Sequence, residues 1–369
     1  MTNDNSASLT DSSVARTVEQ AAKAIAFINP SLSTRNVGDL FIEDSAKRIL
    51  RYDAEHSIDI DPRKPLTSES IDRINQCDAA VILGTNLWYR RVYEEGRWMI
   101  SRKELAQIRV PIIPLGVGTT RHRHEDNSFD PESLDLLLAI HDRCQLASVR
   151  DLRTLEALAE AGIKNVVMTG CPTLFRSLEG EWHLNAKPTQ RLIVTVRKGQ
   201  KRNVRLLLKH LRAQGWDVLI AAQQEKDTFF RRAIPFLQPS TRTLYQFRLQ
   251  PYLDCAKEFF GAIGWRLHGN MLHLAHGNPA VFFANCSRAE SFCQSFGLPC
   301  VVAEDHERIP EAAIEETIGR LHDPTTYATF PSRYRYYREA MAAFLEANHL
   351  AHHLRSTHSD RPTPARKTD

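Results

Sequence analysis

The segment FFGAIGWRLHGN, residues 259–270, predicts a buried strand that passes directly into a helix. A Gly-Trp-Arg turn follows the apolar start, and Leu267, Met271 and Leu274 then lie at helical spacing on one face. Gly277 marks the end of the helix, because glycine readily adopts the left-handed conformation found there. A short apolar strand joined at once to an amphipathic helix is the repeating unit of a parallel sheet covered by helices.

The same unit recurs along the chain in two series of short apolar runs. The first series of predicted strands comprises Ala24–Ile28, Ala79–Leu83, Ile112–Gly116, Gln145–Val149 and Val166–Thr169. The second comprises Leu192–Val196, Val218–Ala222, Phe259–Ile263, Ala280–Ala284 and Cys300–Ala303. Between them lies Leu174–Gln190, a polar stretch with Gly and Pro that we interpret as an interdomain linker. The pattern predicts an α/β fold with two doubly wound halves that face each other across a cleft.

The chain length supports the same division. At about 150 residues per domain, 369 residues predict two domains. We expect an N-terminal domain over residues 19–180, a C-terminal domain over 181–330 and a C-terminal helix over 331–353. The polar segments 1–18 and 354–369 are predicted to be disordered tails.

Composition and charge exclude several classes of protein. Lys and Arg number 48 against 44 Asp and Glu, and a net charge of +4 is too small for a protein that mainly binds nucleic acid. The sequence shows neither a secretory signal nor an apolar run long enough to span a membrane, so a cytoplasmic location is expected. A peripheral contact with a membrane stays open, as does the oligomeric state. The odd number of cysteines, seven, without zinc-type spacing, indicates reduced thiols with structural roles.

Motifs for cofactors and metal ions are not found in the sequence. Gly116-Val117-Gly118 follows the third predicted strand, but Arg121 stands where a dinucleotide-binding fingerprint requires glycine. His273 and His276 share a predicted helix, yet neither has a cysteine or carboxylate nearby that would complete a metal site. We therefore predict neither a cofactor nor a metal ion.

Arginines at the predicted strand ends carry the main chemical signal. Arg150, Arg197 and Arg266 follow strands whose carboxyl ends border the ligand crevice of an open parallel sheet. A guanidinium group binds carboxylate or phosphate through two parallel hydrogen bonds, so converging arginines suit a small anion. Taken singly, each arginine has an alternative role in a surface ion pair, for example Arg150 with Asp151.

The junction between the strand at Phe259–Ile263 and the following helix adds a histidine. An anion at this helix N-terminus would meet Arg266 and the backbone, while His268 could transfer a proton near neutral pH. Gly269 and Asn270, in the first turn of the helix, are predicted to bind the same anion. The alternative for His268 is a buried helix histidine whose ring is satisfied by a backbone carbonyl.

A second polar junction, Asn36-Val37-Gly38-Asp39, follows the first predicted strand. Gly38 permits a close approach to the backbone, and the start of a helix offers free N–H groups. Because aspartate commonly caps helices, the residues alone favour Asp39 as the N-cap.

Four segments in this order resemble the polysaccharide pyruvyl transferase family. They are Asn36–Asp39, Ile113–Gly118, Val149–Ile163, and Arg266–His268 with Gly277–Pro279. The downstream Phe292–Pro299 is similar as well. The resemblance extends from Ala24 to Val302, and the combination is more specific than any one motif.

The resemblance implies two Rossmann-like domains similar to the B-type glycosyltransferase fold, with the C-terminal helix crossing back to the first domain. It also implies transfer of the enolpyruvyl unit of phosphoenolpyruvate onto hydroxyls of a sugar or lipid-linked oligosaccharide, which yields a pyruvate ketal. By resemblance, Arg266 and Arg150 hold this donor from the two domains and His268 is the general acid. Arg197 joins them from its position at a strand end. Phosphoenolpyruvate is then a co-substrate, and no cofactor is implied.

The acceptor sugar is expected to face the N-terminal domain. Asn36, Gly38 and Asp39 would lie on its side, with Asp39 aiding deprotonation of a hydroxyl. Gly116 and Gly118 are assigned to the same acceptor side.

Three departures from the family pattern bear on the acceptor. Gly84-Thr85-Asn86 replaces a run of glycines, Cys171-Pro172 replaces Asp-Pro, and Arg288 stands nearest to the usual basic residue before the downstream Phe. Two alternatives therefore stay open. One is a nucleotide-sugar-dependent glycosyltransferase of the same architecture, and the other is a non-catalytic, glycan-binding member of the family.

Overall fold

The computed structural model describes residues 22–94, 96–119, 126–185, 187–229, 242–303 and 307–354. The tails predicted over 1–18 and 354–369 lie outside these ranges, apart from Leu354, which is buried. Within them the chain forms parallel sheets flanked by helices, as the repeated strand–helix pattern predicts.

The first half of the chain forms a four-stranded parallel sheet and two short strand pairs. Its strands are β1 (Ile25–Ile28), β2 (Ile58–Ile60), β3 (Ala79–Leu83), β4 (Asn86–Trp88), β5 (Ile112–Leu115), β6 (Gly118–Thr119), β7 (Ala147–Val149) and β8 (Val166–Met168). The main sheet has the order β2-β1-β3-β5, and β4 pairs with β6. β7 and β8 pair with each other and connect to the segment after β5 through a bridge between Val117 and Val149.

The second half of the chain forms a six-stranded parallel sheet. Its strands are β9 (Arg191–Val196), β10 (Asp217–Ala222), β11 (Arg242–Leu244), β12 (Gly261–Gly264), β13 (Ala280–Ala284) and β14 (Cys300–Val302). They lie in the order β11-β10-β9-β12-β13-β14, and every pair is parallel.

Helices connect the strands and cover the sheets. In the described residues they are α1 (Val37–Ile49), α2 (Ser68–Asn75), α3 (Arg102–Leu105), α4 (Pro131–His141), α5 (Leu152–Glu160), α6 (Lys201–Ala213), α7 (Gln250–Glu258), α8 (Leu267–Ala275), α9 (Ser287–Phe296), α10 (Glu311–Gly319) and α11 (Phe330–Ala347). None of the helices in these ranges is both long and apolar enough to cross a membrane.

All ten strands predicted from the sequence are present, two of them with the predicted bounds and the others with ends shifted by one or two residues. Every residue of β3 and β13 is buried, which explains why both read as unbroken apolar runs. The strands β2, β4, β6 and β11 were not predicted. Each has only two or three residues and contains at least one polar residue or glycine, so no period is visible.

The C-terminal helix crosses back to the first half of the molecule, as predicted. Beyond α11, the amide of Asn348 donates to the carbonyl of Leu146 at 2.9 Å, and the N–H of Arg51 donates to the carbonyl of Ala351 at 2.8 Å. The predicted helix end at residue 353 was wrong, because His349 adopts a left-handed conformation with φ 55°. The helix therefore ends at Ala347 and the chain continues in extended form beside Leu50.

The predicted linker over Leu174–Gln190 also needs correction at its start. Residues Pro172–Phe175 form a short 3₁₀ turn, and Leu174 and Phe175 are completely buried. Trp182, within the same stretch, is buried as well and packs edge-on against Phe330 at a centroid distance of 4.7 Å. Much of the stretch therefore belongs to the core, and the domain limits drawn on either side of it stay predictions.

Candidate active site

Arg150 is a buried arginine without a hydrogen-bonded partner. It directly follows β7, its side chain is only 2% exposed, and its Nε, Nη1 and Nη2 make no hydrogen bond to any described residue. The carboxylate of Asp151 lies 3.7 Å from Nε, beyond hydrogen-bond range, and its Oδ1 instead accepts from the N–H and hydroxyl of Thr154 at 2.9 Å. The ion pair with Asp151, the alternative role for Arg150, is therefore present, but it is buried and not hydrogen-bonded. A buried guanidinium whose N–H groups make no hydrogen bond is costly unless an anion binds to them.

Gly118 allows this guanidinium to lie against the backbone. A Cβ atom built on Gly118 would stand 2.8 Å from both Cζ and Nη2 of Arg150, and closer still to Nε. The strand cannot easily withdraw, because the N–H of Gly118 donates to the carbonyl of Thr85 at 2.9 Å. Glycine is therefore required here by the close approach of Arg150.

Arg266 is held at the N-terminus of α8 by a buried carboxylate. Its Nη2 donates to Oδ2 of Asp227 and, at 3.0 Å, to the side chain of Gln224, while its Nε has no partner among the described residues. Asp227 is fully buried and also accepts from the N–H groups of Lys198 and Gln224, each at 3.1 Å. One carboxylate thus ties together the loops that follow β9, β10 and β12.

His268 lies in the first turn of α8, where the two halves of the molecule meet. Its Nε2 is buried and has no hydrogen-bond partner among the described residues. This nitrogen is therefore not satisfied by a backbone carbonyl, as it would be in a purely structural helix histidine. A Cβ atom built on Gly38 would stand 2.9 Å from its Nδ1. Burial lowers the pKa of His268 well below its usual range, and the charges of Arg150, Arg288 and Arg266 lower it further. In the absence of an anion, the imidazole is neutral at pH 7.

Further cations surround this group. Burial lowers the pKa of Arg266, and the nearby charge of Arg197 lowers it further. Burial also lowers the pKa of Lys226, and the charges of Arg266 and Arg197 add to this effect. Burial lowers the pKa of Arg150, and the charge of Arg288 lowers it further. The site therefore concentrates positive charge that the overall balance of the chain does not reveal.

The polar junction after β1, residues 36–39, supplies the wall of the site that faces His268. Asn36, and not Asp39, caps α1: its side chain accepts from the N–H of Gly38 at 3.2 Å. The helix begins at Val37, so Asp39 lies within its first turn, where Oδ1 accepts from the hydroxyl of Thr85 at 3.0 Å. The prediction that Asp39 is the cap was therefore wrong.

Gln223 joins this wall to the second half of the molecule. Its carbonyl accepts from the N–H of Val37 at 2.9 Å, and Cβ atoms built on Gly38 and Gly269 would stand 3.3 Å and 2.6 Å from its side-chain oxygen and nitrogen. Its Nε2 is buried and without a partner among the described residues. Gly269 thus lies in the site as a contact of Gln223.

Two other predicted site residues have structural contacts. The amide of Asn270 accepts from the hydroxyl of Thr195 at 2.8 Å and donates to the carbonyls of Gly264 and Val281, so it fixes α8 to the sheet. A Cβ atom built on Gly116 would stand 2.7 Å from Cδ of Pro172. Their predicted ligand contacts stay predictions.

Sequence reasoning missed Gln223 and Asp227 and did not assign Arg288 to the site. Gln223 directly follows the predicted strand Val218–Ala222, so the rule that located the arginines also applies to it. Asp227 lies further along the same loop, and only the fold brings it to Arg266. Arg288 lies in the first turn of α9, a position that the sequence shows only as a helix start.

The site does not suit a metal ion, because its arginines repel cations. Among the described residues, His210, Glu311 and Glu315 are close enough to share a metal ion, and they lie on α6 and α10. Both ring nitrogens of His210 already contact these carboxylates, at 2.7 Å and 3.2 Å.

Comparison with known proteins agrees with the fold and the motifs. The family model of polysaccharide pyruvyl transferases matches residues 36–287, which include each residue of the site except Arg288. No curated protein sequence matches the chain.

Two solved structures illustrate the fold. A putative UDP-N-acetylglucosamine 2-epimerase from Listeria monocytogenes is similar over 88% of this chain and 95% of its own, with 10% identity and a TM-score of 0.54. A UDP-GlcNAc 2-epimerase from Neisseria meningitidis, bound to UDP-GlcNAc, is similar over 88% of this chain and 99% of its own, with 10% identity and a TM-score of 0.50. These similarities confirm the predicted B-type glycosyltransferase architecture and show nothing beyond the fold.

Proposed function

The chain belongs to the polysaccharide pyruvyl transferase family, a family of transferases, and from this premise we propose that it transfers the enolpyruvyl unit of phosphoenolpyruvate onto a sugar acceptor. The observation that carries the proposal is the buried guanidinium of Arg150, which makes no hydrogen bond to any described residue and contributes with Arg266 to the field around His268. Such an arrangement is unfavourable in an empty site and favourable around a ligand with more than one negative charge.

Phosphoenolpyruvate matches this charge distribution. It carries a phosphate and a carboxylate on three carbon atoms, so it needs several cations within a small volume. Arg150 has all three of its guanidinium nitrogens available among the described residues, whereas Arg266 has Nε available and is oriented by Asp227. We assign donor binding to these two arginines, with Arg288 adding positive charge from α9.

His268 is the proposed general acid. The donor's negative charge offsets the arginine charges that lower the pKa of His268, so the imidazole takes up a proton when the donor binds. Nε2 or Nδ1 of His268 then delivers this proton to the methylene carbon, which becomes a methyl group. The adjacent carbon becomes electrophilic and is attacked by an acceptor hydroxyl.

Asp39 is the proposed partner of the acceptor hydroxyl. Its Oδ1 is oriented by Thr85 and Asn36, and it follows Gly38, where a Cβ atom would stand 2.9 Å from Nδ1 of His268. The first hydroxyl forms a bond to the electrophilic carbon, and a second hydroxyl of the same sugar then displaces phosphate. The two hydroxyls release two protons. One of them replaces the proton that His268 delivered to the methyl group, and the other leaves with the phosphate. The products are a pyruvate ketal and inorganic phosphate.

Thermal unfolding with candidate donors tests this proposal. A ligand that binds only the folded state raises the melting temperature by mass action. We expect phosphoenolpyruvate to raise it, and UDP-sugars at the same concentration to leave it unchanged. A shift with a nucleotide sugar and none with phosphoenolpyruvate would instead support the glycosyltransferase alternative, and no shift with either would favour a non-catalytic binding protein.

A further inference from the structure

A second cationic surface lies on the C-terminal half, outside the catalytic residues. It is an open groove with a volume of about 690 Å³. The lining residues are Gly199, Lys201, Arg202, Asn203, Arg205, Leu206, Lys209, Glu307 and Arg308. We call this surface the α6 groove. Five of its lining residues are Lys or Arg and one is acidic, so it attracts anions although the whole chain is nearly neutral.

Hydrogen bonds of the buried Asn203 fix the shape of the α6 groove. The amide of Asn203 donates to the carbonyl of Glu307 at 2.7 Å, and its Oδ1 accepts from the N–H of Ile309 at 3.1 Å. These bonds hold residues 307–309 against α6. The groove is therefore a feature of the packed fold and does not depend on the chance positions of long side chains.

The cations on α6 follow one another along the helix. Lys201, Arg202, Arg205 and Lys209 extend over about two helical turns, or roughly 12 Å at 1.5 Å per residue. That length suits an extended chain with repeated negative charges better than a single small anion.

The α6 groove is joined to the candidate active site by the turn that follows β9. The N–H of Lys198 donates to Asp227, the residue that orients Arg266. Gly199, next in the chain, already lines the groove, and α6 begins two residues later. A molecule that occupies both places need only pass along this turn.

We propose that the α6 groove binds an acidic glycan, namely the part of the acceptor that extends from the active site and carries carboxylate or phosphate groups. This inference rests on the proposed function, because it takes the acceptor to be a glycan. The groove is concave, and its single large apolar lining residue is Leu206. A membrane-binding face, in contrast, inserts several apolar side chains between the lipids.

Binding of the full chain to soluble polymers tests the inference. Polygalacturonate serves as the acidic probe, dextran as the neutral probe, and phosphatidylglycerol vesicles represent a lipid surface. The groove variant combines Lys201→Gln, Arg202→Gln and Arg308→Gln, all at exposed positions. A matched control removes three exposed charges elsewhere, with the substitutions Lys103→Gln, Arg109→Gln and Lys164→Gln.

We expect the wild-type chain and the control to bind polygalacturonate and not dextran. The groove variant should bind it about tenfold more weakly or worse, with a flatter dependence of affinity on salt, because fewer counterions are released. Equal losses in both variants would overturn the inference, as would binding of the vesicles without binding of polygalacturonate.

The melting-temperature response to phosphoenolpyruvate, measured on the same variants, separates the two proposals. If the groove variant no longer binds polygalacturonate but its melting temperature still rises with phosphoenolpyruvate, the two sites act independently and both proposals stand. If no variant responds to phosphoenolpyruvate while the groove result holds, the donor assignment fails and the groove remains an acidic-glycan site.

Discussion

Replacing Arg150 by methionine should remove donor binding and also destabilise the free protein, because it leaves the buried carboxylate of Asp151 without its counter-ion. Methionine keeps a long, unbranched chain in the cavity but carries no charge. The Arg150 side chain is 2% exposed and has no hydrogen bond to any described residue, and the equally buried carboxylate of Asp151, 3.7 Å from Nε, balances its charge. The substitution therefore removes the counter-ion of Asp151 in the empty site and an anchor of the donor in the occupied one.

The size of both effects follows from the burial of Arg150. Removing one partner of a buried ion pair costs about 3–5 kcal/mol in other proteins. At about 2.1 cal/mol/K of unfolding entropy per residue, a loss of about 3 kcal/mol would lower the melting temperature of the chain by roughly 4 °C. Loss of two charge-assisted hydrogen bonds, at about 1.5–3 kcal/mol each, should weaken phosphoenolpyruvate binding by a factor of 100 or more.

Thermal unfolding with and without phosphoenolpyruvate measures both effects on one sample. Arg102→Met is the control, because Arg102 is exposed and paired with Asp135 at 3.0 Å. It should change stability by less than about 0.5 kcal/mol and keep the donor response. An unchanged or higher melting temperature for Arg150→Met together with an unchanged donor response would refute the reasoning.

Three further predictions follow from the same contacts. Gly118→Ala should displace the adjacent guanidinium of Arg150 and weaken donor binding at least about tenfold. Gly319→Ala is the control, because its added Cβ meets no atom within 4 Å and should leave donor binding unchanged. Calorimetric titration with phosphoenolpyruvate measures the donor affinity of both variants. Asp227→Asn should raise KM for phosphoenolpyruvate more than it lowers kcat, because the carboxylate orients Arg266 without touching the substrate. Steady-state assays in which the variant has the same kcat and the same KM as the wild-type chain would contradict this prediction. Burial lowers the pKa of His141 to about 4 and that of His273 to about 3, so both are neutral in the folded protein and protonated in the unfolded chain below pH 6.5. Stability should therefore fall as pH drops below about 6.5, by about 2 kcal/mol per histidine at pH 5; urea midpoints that match at pH 7 and pH 5 would show otherwise.

The fold could be predicted from the sequence because its strands are buried on both faces. Runs such as Ala79–Leu83 and Ala280–Ala284 contain no polar residue, and the segment 259–270 shows strand, turn and helix in immediate succession. The short strands were invisible for the opposite reason, since the two residues of β6 have no period of their own.

The site was only partly predictable, because the sequence shows where a residue stands and not which residue it meets. The strand-end rule located Arg150, Arg266 and His268. It could not show that Arg150 lacks a hydrogen-bonded carboxylate, since Asp151 is its direct neighbour in the chain. Nor could it reveal that Asp227 orients Arg266, because residues 39 positions apart meet only through the tertiary fold.

Calorimetric titration with phosphoenolpyruvate tests the central claim most directly. The claim is that the buried arginines bind the donor and that His268 takes up a proton when it arrives. Titrations at about pH 8, where the donor's phosphate is fully ionised, are run in two buffers of different ionisation enthalpy. We predict one donor per chain with different heats in the two buffers, a difference that His268→Ala removes and binding that Arg150→Met abolishes. Absence of binding, or binding with the same heat in both buffers and insensitive to Arg150→Met, would contradict the claim.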